Sequence, residues 1–172
     1  MPMFYSAILI RQDDCHSLCP VPSDKFHSII IKKAPQSHDY VELSASPLYP
    51  FGYGLSYTSF DYSDLHLSAL TPRSFEVSFK VRNTGKYDGE EVAQLYLRDE
   101  YASVVQPLKQ LKHFARFYLK RGEEREVKFI LSEEDFSLVD WNLKRIVEPG
   151  TFQIMIGAAS DDIRLQTKVE IK

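Results

Sequence analysis

Clustered carboxylates are the residues of this sequence that could carry out acid–base or nucleophilic chemistry. The acidic clusters are Glu90-Glu91, Glu123-Glu124-Glu126, Glu133-Glu134-Asp135 and Asp161-Asp162. A carboxyl group acts as a general acid near neutral pH only when burial or a neighbouring charge raises its pKa. Each cluster lies in or beside a predicted turn, where carboxylates are ordinarily solvated. We therefore interpret all of them as solvated turn residues and predict no catalytic residue.

Signals for metal or cofactor binding are weaker still. A metal site could be imagined from Cys15, His16, Cys19 and His27. A Cys-x₃-Cys pair without a second pair of Cys or His ligands is a weak pattern, however, and we interpret it as a coincidence of spacing and not as a metal site. The isolated histidines, which we interpret as surface or packing residues, are His38, His66 and His113. Because residues 37–172 contain no Gly-x-Ser-x-Gly motif and no phosphate-binding loop, we predict no metal and no cofactor.

Length and charge limit the class of protein. A chain of 172 residues forms one domain, or one domain with a tail, and can bury a core without disulfides. A net charge of -3 without a basic run argues against nucleic acid as a partner. No stretch approaches the roughly 20 apolar residues of a membrane span. The apolar run Met3 to Ile10 lacks the flanks of a signal peptide. The absence of cysteine after Cys19 fits the cytoplasm and the periplasm equally.

Alternation of apolar and polar residues from Phe60 onward predicts β-strands. In the clearest case, residues 74–83, one face carries Phe75, Val77, Phe79 and Val81. About seven such runs are separated by turn signals at intervals of roughly ten residues. This pattern predicts an all-β fold, an immunoglobulin-like sandwich of two sheets.

Residues 47–60 form an aromatic-rich segment interrupted by Pro47, Pro50, Gly52 and Gly54. Proline removes a backbone donor and favours extended geometry in the residue before it, while glycine permits positive φ or close backbone approach. The segment is therefore predicted to be an extended, shaped connector. Its rings would leave a large apolar patch uncovered unless they contact the following domain or a partner. The predicted docking residues are Tyr49, Phe51, Tyr53 and Tyr57.

These observations predict a chain of three segments. Residues 1–36 are expected to form a poorly packed N-terminal extension, in which Ile29-Ile30-Ile31 could add an edge strand. Residues 37–59 form the connector, and residues 60–172 form the sandwich.

A series of motifs follows the connector in order and without large gaps. They are Val81-Arg82-Asn83-Thr84-Gly85, Asp88-Gly89-Glu90-Glu91-Val92-Ala93-Gln94-Leu95-Tyr96, Leu108-Lys109-Gln110-Leu111, Glu148-Pro149-Gly150-Thr151-Phe152 and Ile156-Gly157-Ala158-Ala159-Ser160-Asp161-Asp162-Ile163. Together with residues 47–60 they resemble the C-terminal fibronectin type III-like domain of family-3 glycoside hydrolases, the β-glucosidases and β-xylosidases. The resemblance covers that accessory domain and none of the family's catalytic parts.

The resemblance implies a catalytic barrel and an α/β sandwich domain as partners. The intact enzymes would be retaining β-glycosidases, whose paired carboxylates lie about 5 Å apart. Val139-Asp140-Trp141 superficially resembles the nucleophile motif of the family's barrel, but it stands in the accessory domain, so that role is not transferred to Asp140. The resemblance begins abruptly at His38-Asp39-Tyr40-Val41-Glu42, which suggests a fragment of a longer reading frame. A stand-alone protein with its own extension is the alternative.

Three functions are consistent with the sequence. The leading hypothesis is an accessory structural domain whose connector aromatics dock on catalytic domains, with self-association when that face is uncovered. The second is a carbohydrate-binding module in which the connector aromatics and Trp141 stack on sugar rings. The third is a hydrolase in its own right, for which the sequence offers no carboxylate pair.

Overall fold

The computed structural model describes residues 47–172. Several predictions concern residues outside this range: the metal ligands considered above, His38, the Ile29-Ile30-Ile31 strand and the N-terminal extension. The predicted segment boundaries likewise stay predictions, although the first strand begins at Phe60.

Strands that alternate inward and outward side chains make up most of the described chain. In order they are β1 (Phe60–Thr71), β2 (Ser74–Asn83), β3 (Gly89–Asp99), β4 (Gln110–Leu119), β5 (Glu124–Leu131), β6 (Leu138–Val139), β7 (Arg145–Ile146), β8 (Gly150–Gly157) and β9 (Ile163–Ile171). A single 3₁₀ turn, Glu133–Phe136, follows β5. No helix within residues 47–172 has the length and apolar character needed to cross a membrane.

The strands form two antiparallel sheets and a small hairpin. One sheet has three strands in the order β1-β2-β5, and the other has four in the order β4-β3-β8-β9. Among the described strands, β6 and β7 pair only with each other. In a constant-type immunoglobulin domain, one sheet has four strands, called A, B, E and D, and the other has three, called C, F and G. Here β4 joins β3, so the sheet containing β8 and β9 has four strands.

The core lies between the two sheets, as the alternation predicted. From β2, the buried inward residues are Phe75, Val77, Phe79 and Val81, and from β8 they are Phe152, Ile154 and Ile156. Phe136 of the 3₁₀ turn closes one end of the core, because its ring contacts Phe75 and Phe152 edge-on at centroid distances of 5.8 and 5.1 Å. The all-β sandwich predicted from the sequence is confirmed.

The sandwich has two poles that matter for function. At the connector pole, β1, β3 and β9 begin and β2, β4 and β8 end. At the distal pole lie the β3–β4 loop, the 3₁₀ turn and the β6–β7 hairpin. Because Phe136 bridges the starts of β2 and β8, the hairpin that follows it lies far from the ends of those strands where the connector attaches.

Candidate docking surface

The connector turns at Pro50-Phe51-Gly52-Tyr53 before it reaches the first strand. The Tyr53 amide donates to the Pro50 carbonyl at 3.1 Å, and Gly52 has φ of 79°. A glycine with positive φ at the third position of a four-residue turn is typical of a type II arrangement. The positive φ that the sequence predicted for this segment is therefore present at Gly52.

Gln94 holds this turn against the outer face of the four-stranded sheet. Its Nε2 donates to the carbonyls of Gly52 at 3.3 Å and Ala158 at 2.5 Å, and its Oε1 accepts from the Tyr96 hydroxyl at 2.5 Å. Next to it, the Ser160 amide donates to the Phe51 carbonyl at 2.9 Å. A Cβ on Gly52 would lie 2.7 Å from Gln94 Nε2, closer than real Cβ atoms approach such a neighbour. The glycine therefore serves both the turn and the close packing.

Asn83 holds the second half of the connector. Its Oδ1 accepts from the Thr58 hydroxyl at 2.7 Å and from the Gly85 amide at 3.1 Å. Its Nδ2 donates to the carbonyls of Tyr87 at 2.8 Å and Leu119 at 3.2 Å. The residue is fully buried, and these four hydrogen bonds use both the oxygen and the nitrogen of its carboxamide. A Cβ on Gly85 would lie 2.6 Å from the Ser59 amide nitrogen, so the connector passes directly over Gly85.

The backbone of the connector is thus fixed at two places while its side chains stay accessible. Tyr57 is 96% exposed, and Phe51 and Tyr53 are each about half exposed, at 47% and 48%. Tyr49, which is 66% exposed, contacts Tyr53 at a centroid distance of 5.3 Å. The predicted docking residues therefore lie on one clamped segment. Their docking on a neighbour remains a prediction.

The outer face of the four-stranded sheet continues this apolar surface. Phe114 of β4 lies directly opposite Gln94 in the register and points outward with a 67% exposed side chain. Val92, two residues along β3 on the same face, is also exposed. Since Gln94 carries the connector turn, Phe114 lies beside it. We define the connector face as residues 47–57 together with Val92 and Phe114.

Gln94 and Asn83 were missed as functional residues by the sequence analysis. Both were read as parts of motifs, Gln94 within a strand and Asn83 at a strand end. The available signal was the position of Gln94 in β3, since a polar residue between apolar neighbours on a strand needs a partner when it is buried. The two carbonyls that accept from its Nε2 lie 42 and 64 residues away in the chain, so only the fold identifies them.

The prediction of solvated turn carboxylates is wrong for Glu91. This residue lies within β3 on the inward side and is only 8% exposed. The Tyr62 hydroxyl donates to its Oε1 at 3.0 Å, and the Arg164 guanidinium lies 4.8 Å from the centroid of the Tyr62 ring. Burial, the largest effect, raises the pKa of Glu91, and burial likewise raises the pKa of the Tyr62 hydroxyl. The alternation of β3 continues through Glu91 and explains why its side chain points inward.

Glu91 is the sole aspartate or glutamate that is buried within residues 47–172. Asp140 has a lowered pKa, chiefly because the Lys144 amide donates to its carboxylate, which is the environment of a structural hydrogen-bond acceptor. Within the same residues, no group of three His, Cys, Asp or Glu side chains is arranged to hold a metal ion. His113 packs on Phe129 and pairs with Asp135 at 3.3 Å.

The buried Glu91 predicts a pH-dependent difference in stability for Glu91→Gln. A folded-state pKa above the unfolded value of 4.5 means that the neutral carboxyl contributes stability fully at low pH. That contribution is lost as pH rises through the folded pKa. Because glutamine stays neutral, the Tm of the variant minus that of the original chain should become more positive between about pH 4 and about pH 8. Thermal unfolding at several pH values measures this, with exposed Glu90→Gln as the control. A difference that is flat or falls with pH would contradict the assignment.

Comparison with known proteins identifies the domain. Residues 91–160 match the family model described as a fibronectin type III-like domain. A β-xylosidase from Formosa agariphila is 48% identical over 124 residues, which are 69% of this chain and 17% of that protein. A β-glucosidase from Bacteroides ovatus is 46% identical over 129 residues, covering 73% of this chain and 17% of that protein.

Solved structures agree with these matches. A β-glucosidase from Erythrobacter marinus is similar with a TM-score of 0.71 and 41% identity, over 77% of this chain and 18% of that one. A β-glucosidase from Listeria innocua, solved in complex with glucose, has a TM-score of 0.69 and 36% identity over 80% of this chain and 19% of that one. The chain spans about 17% of the length of the curated relatives named above. By its fold and by these matches, the chain carries the fibronectin type III-like domain of family-3 glycoside hydrolases.

Proposed function

We propose that this domain is an accessory structural part of a β-glucosidase or β-xylosidase, and that its connector face docks on the catalytic barrel and the α/β sandwich domain. The observation that carries the proposal is the contrast within the connector. Its backbone is clamped by Gln94 and Asn83, while the rings of Phe51, Tyr53 and Tyr57 are left open.

A clamped backbone favours docking because less conformational freedom is lost when the surface is covered. Ordering a loop and its side chains opposes association, and preorganisation reduces that cost. An aromatic side chain buries about 150–250 Å² when it is covered. The rings of the connector together approach the roughly 800 Å² that each partner contributes to a standard interface. The connector face therefore has about the area of one half of an interface.

The same proposal places hydrolysis in the catalytic domains and not in this domain. Retaining glycoside hydrolysis needs two carboxyl groups about 5 Å apart, one as nucleophile and one as acid/base. Within residues 47–172, the buried Glu91 has a tyrosine hydroxyl and a guanidinium as its neighbours, and no second buried carboxylate. Glu91 fits a role in holding the two sheets together, since Tyr62 belongs to β1 and Glu91 to β3.

A binding experiment with a triple variant tests the docking proposal. The catalytic portion is supplied by the Bacteroides ovatus β-glucosidase shortened to end before the segment that matches this chain. The original chain should bind it. The combined variant Tyr49→Ser, Phe51→Ser and Tyr57→Ser should bind at least about tenfold more weakly. The reason is that burial of the lost apolar area contributes more free energy than the 1.4 kcal/mol that a factor of ten represents. Calorimetry measures both affinities.

Leu70→Ser is the matched control, because Leu70 is an exposed apolar residue of β1 that lies outside the connector face. It should bind as the original chain does. Equal affinity of the triple variant and the original chain would contradict the docking proposal. Release of product from an aryl β-glucoside by the chain alone, above the buffer blank, would contradict the assignment of hydrolysis to other domains.

A further inference from the structure

The tip of the β6–β7 hairpin presents a tryptophan to solvent at the distal pole. Trp141 is the single tryptophan of the chain and is 82% exposed. The neighbouring tip residue Leu143 is also exposed. The base of the hairpin is anchored, because Leu138 is buried and pairs with Ile146. The exposed indole therefore lies on a hairpin whose base is packed into the domain.

Hydrogen bonds to Asp140 hold the tip in one conformation. Asp140 Oδ1 accepts from the amides of Asn142 at 2.9 Å and Lys144 at 2.8 Å. The Asp140 amide donates to the Lys144 carbonyl at 2.9 Å, and its carbonyl accepts from the Leu143 amide at 3.1 Å. Leu143 adopts φ of 60°, a left-handed conformation that is uncommon for a non-glycine residue. Such a conformation persists only where surrounding contacts enforce it.

The surroundings of Trp141 do not fit a protein partner. Its neighbours at the tip are Asp140, Asn142, Leu143 and Lys144, so that three of the four are polar. One indole and one leucine side chain provide on the order of 300 Å² of apolar area, which is less than the apolar part of the about 800 Å² that each side of a standard protein interface contributes. A small ligand with one apolar face and a polar rim matches this area and composition better.

The β3–β4 loop, which also lies at the distal pole, has an open cavity with polar groups. The Ser103 amide donates to Glu148 Oε2 at 3.0 Å, which ties the loop to the segment that follows β7. Beneath the loop lies a cavity of about 300 Å³, lined among others by Arg98, Asp99, Glu100, Tyr101 and Gln106. Its volume lies at the lower end of the range for small-molecule sites. Tyr101 is an exposed ring at its edge.

We propose that the distal pole binds a chain of β-linked glucose or xylose, with one pyranose ring stacked on Trp141. A pyranose whose hydroxyls are all equatorial presents axial C–H groups on its faces and hydroxyls around its rim. The face matches the indole, and the rim can donate to and accept from the polar side chains of Asn142 and Lys144 beside it. The choice of sugar rests on the proposed function, since glucose and xylose are the sugars named for the relatives. The site differs from a module built on connector aromatics, which the connector's docking would cover.

Trp141 itself reports the binding, because it is the only indole in the protein. Titration of the full chain with cellotetraose and with xylotetraose should shift the tryptophan emission to shorter wavelength in a saturable way. The two sugars distinguish a glucan from a xylan, and α-linked maltotetraose is the control that should leave the emission unchanged. If neither β-linked sugar changes the emission up to millimolar concentration, the proposal is wrong.

Variants locate the site by calorimetry. Trp141→Ala should weaken binding of the preferred sugar by at least about tenfold, and Trp141→Phe should retain an intermediate affinity, as expected for loss or partial retention of a stacked ring. Tyr57→Ala, at the connector pole, should bind as the original chain does. If Tyr57→Ala loses binding while Trp141→Ala keeps it, the sugar site lies on the connector and the proposal fails. Docking to the catalytic portion is measured separately, so the two proposals can fail independently.

Discussion

Replacement of Asn83 by alanine should lower the free energy of unfolding by about 3 kcal/mol, because one buried and three partly buried hydrogen bonds are lost. The Leu119 and Tyr87 carbonyls lose a donor, and the Thr58 hydroxyl and Gly85 amide lose an acceptor. Each unsatisfied buried group costs on the order of 1–3 kcal/mol, reduced where water can enter. For a domain of this size the Tm should fall by roughly 10 °C. Thermal and urea unfolding measure both quantities.

Asn142→Ala is the matched control for this substitution. Asn142 is exposed and its carboxamide donates one hydrogen bond, to Asp140 Oδ2 at 3.3 Å. Its loss should change the free energy of unfolding by less than about 0.5 kcal/mol. An Asn83→Ala variant that unfolds at the same temperature as the Asn142→Ala variant would mean that Asn83 does not hold the connector and the strand end together.

Replacement of Gly52 by alanine should detach the connector turn while the sandwich stays folded. The left-handed φ of 79° costs a residue with a Cβ about 1–2 kcal/mol. The added Cβ would also displace the Gln94 side chain, breaking its hydrogen bonds to Gly52 and Ala158. Because docking then requires a loose segment to be ordered, affinity for the catalytic portion should fall by about tenfold or more. Calorimetry against the shortened Bacteroides ovatus enzyme measures the loss.

Gly54→Ala is the control that the chain itself offers. A Cβ on Gly54 meets no atom within 4 Å, and φ at this residue is not positive. The substitution should therefore leave docking, and the resistance of the connector to limited proteolysis, unchanged. Gly52→Ala should make the connector sensitive to protease between about Pro47 and Ser59 while the rest of the domain resists. If both glycine variants dock equally well, the clamped turn is not needed for docking.

Asn83→Ala and Gly52→Ala separate the roles of the Asn83 and Gln94 carboxamides. Asn83 joins the connector to the ends of β2 and β4, so that it affects the stability of the whole sandwich. Gln94 holds the turn on the outer face of β3, outside the core between the sheets. We therefore expect loss of stability to dominate for Asn83, and loss of docking to dominate for the Gly52–Gln94 contact.

The sequence by itself determined the sandwich and the left-handed turn at Gly52. The alternation at Phe75, Val77, Phe79 and Val81 is a local property of the chain, since successive side chains of a strand point to opposite faces. The left-handed turn at Gly52 is local as well, because proline and glycine restrict their own backbone angles. Such features need no knowledge of distant residues.

Only the tertiary structure decided which polar residues are buried and what they contact. Glu91 stands beside Glu90 in the sequence, but the two strand positions face opposite sides, so that one is buried and the other is solvated. Gln94 meets Gly52 and Ala158, and Asn83 meets Thr58, only because strands far apart in the chain end at the same pole. Burial and hydrogen bonding depend on these long-range neighbours, and a local pattern of residue types does not contain them.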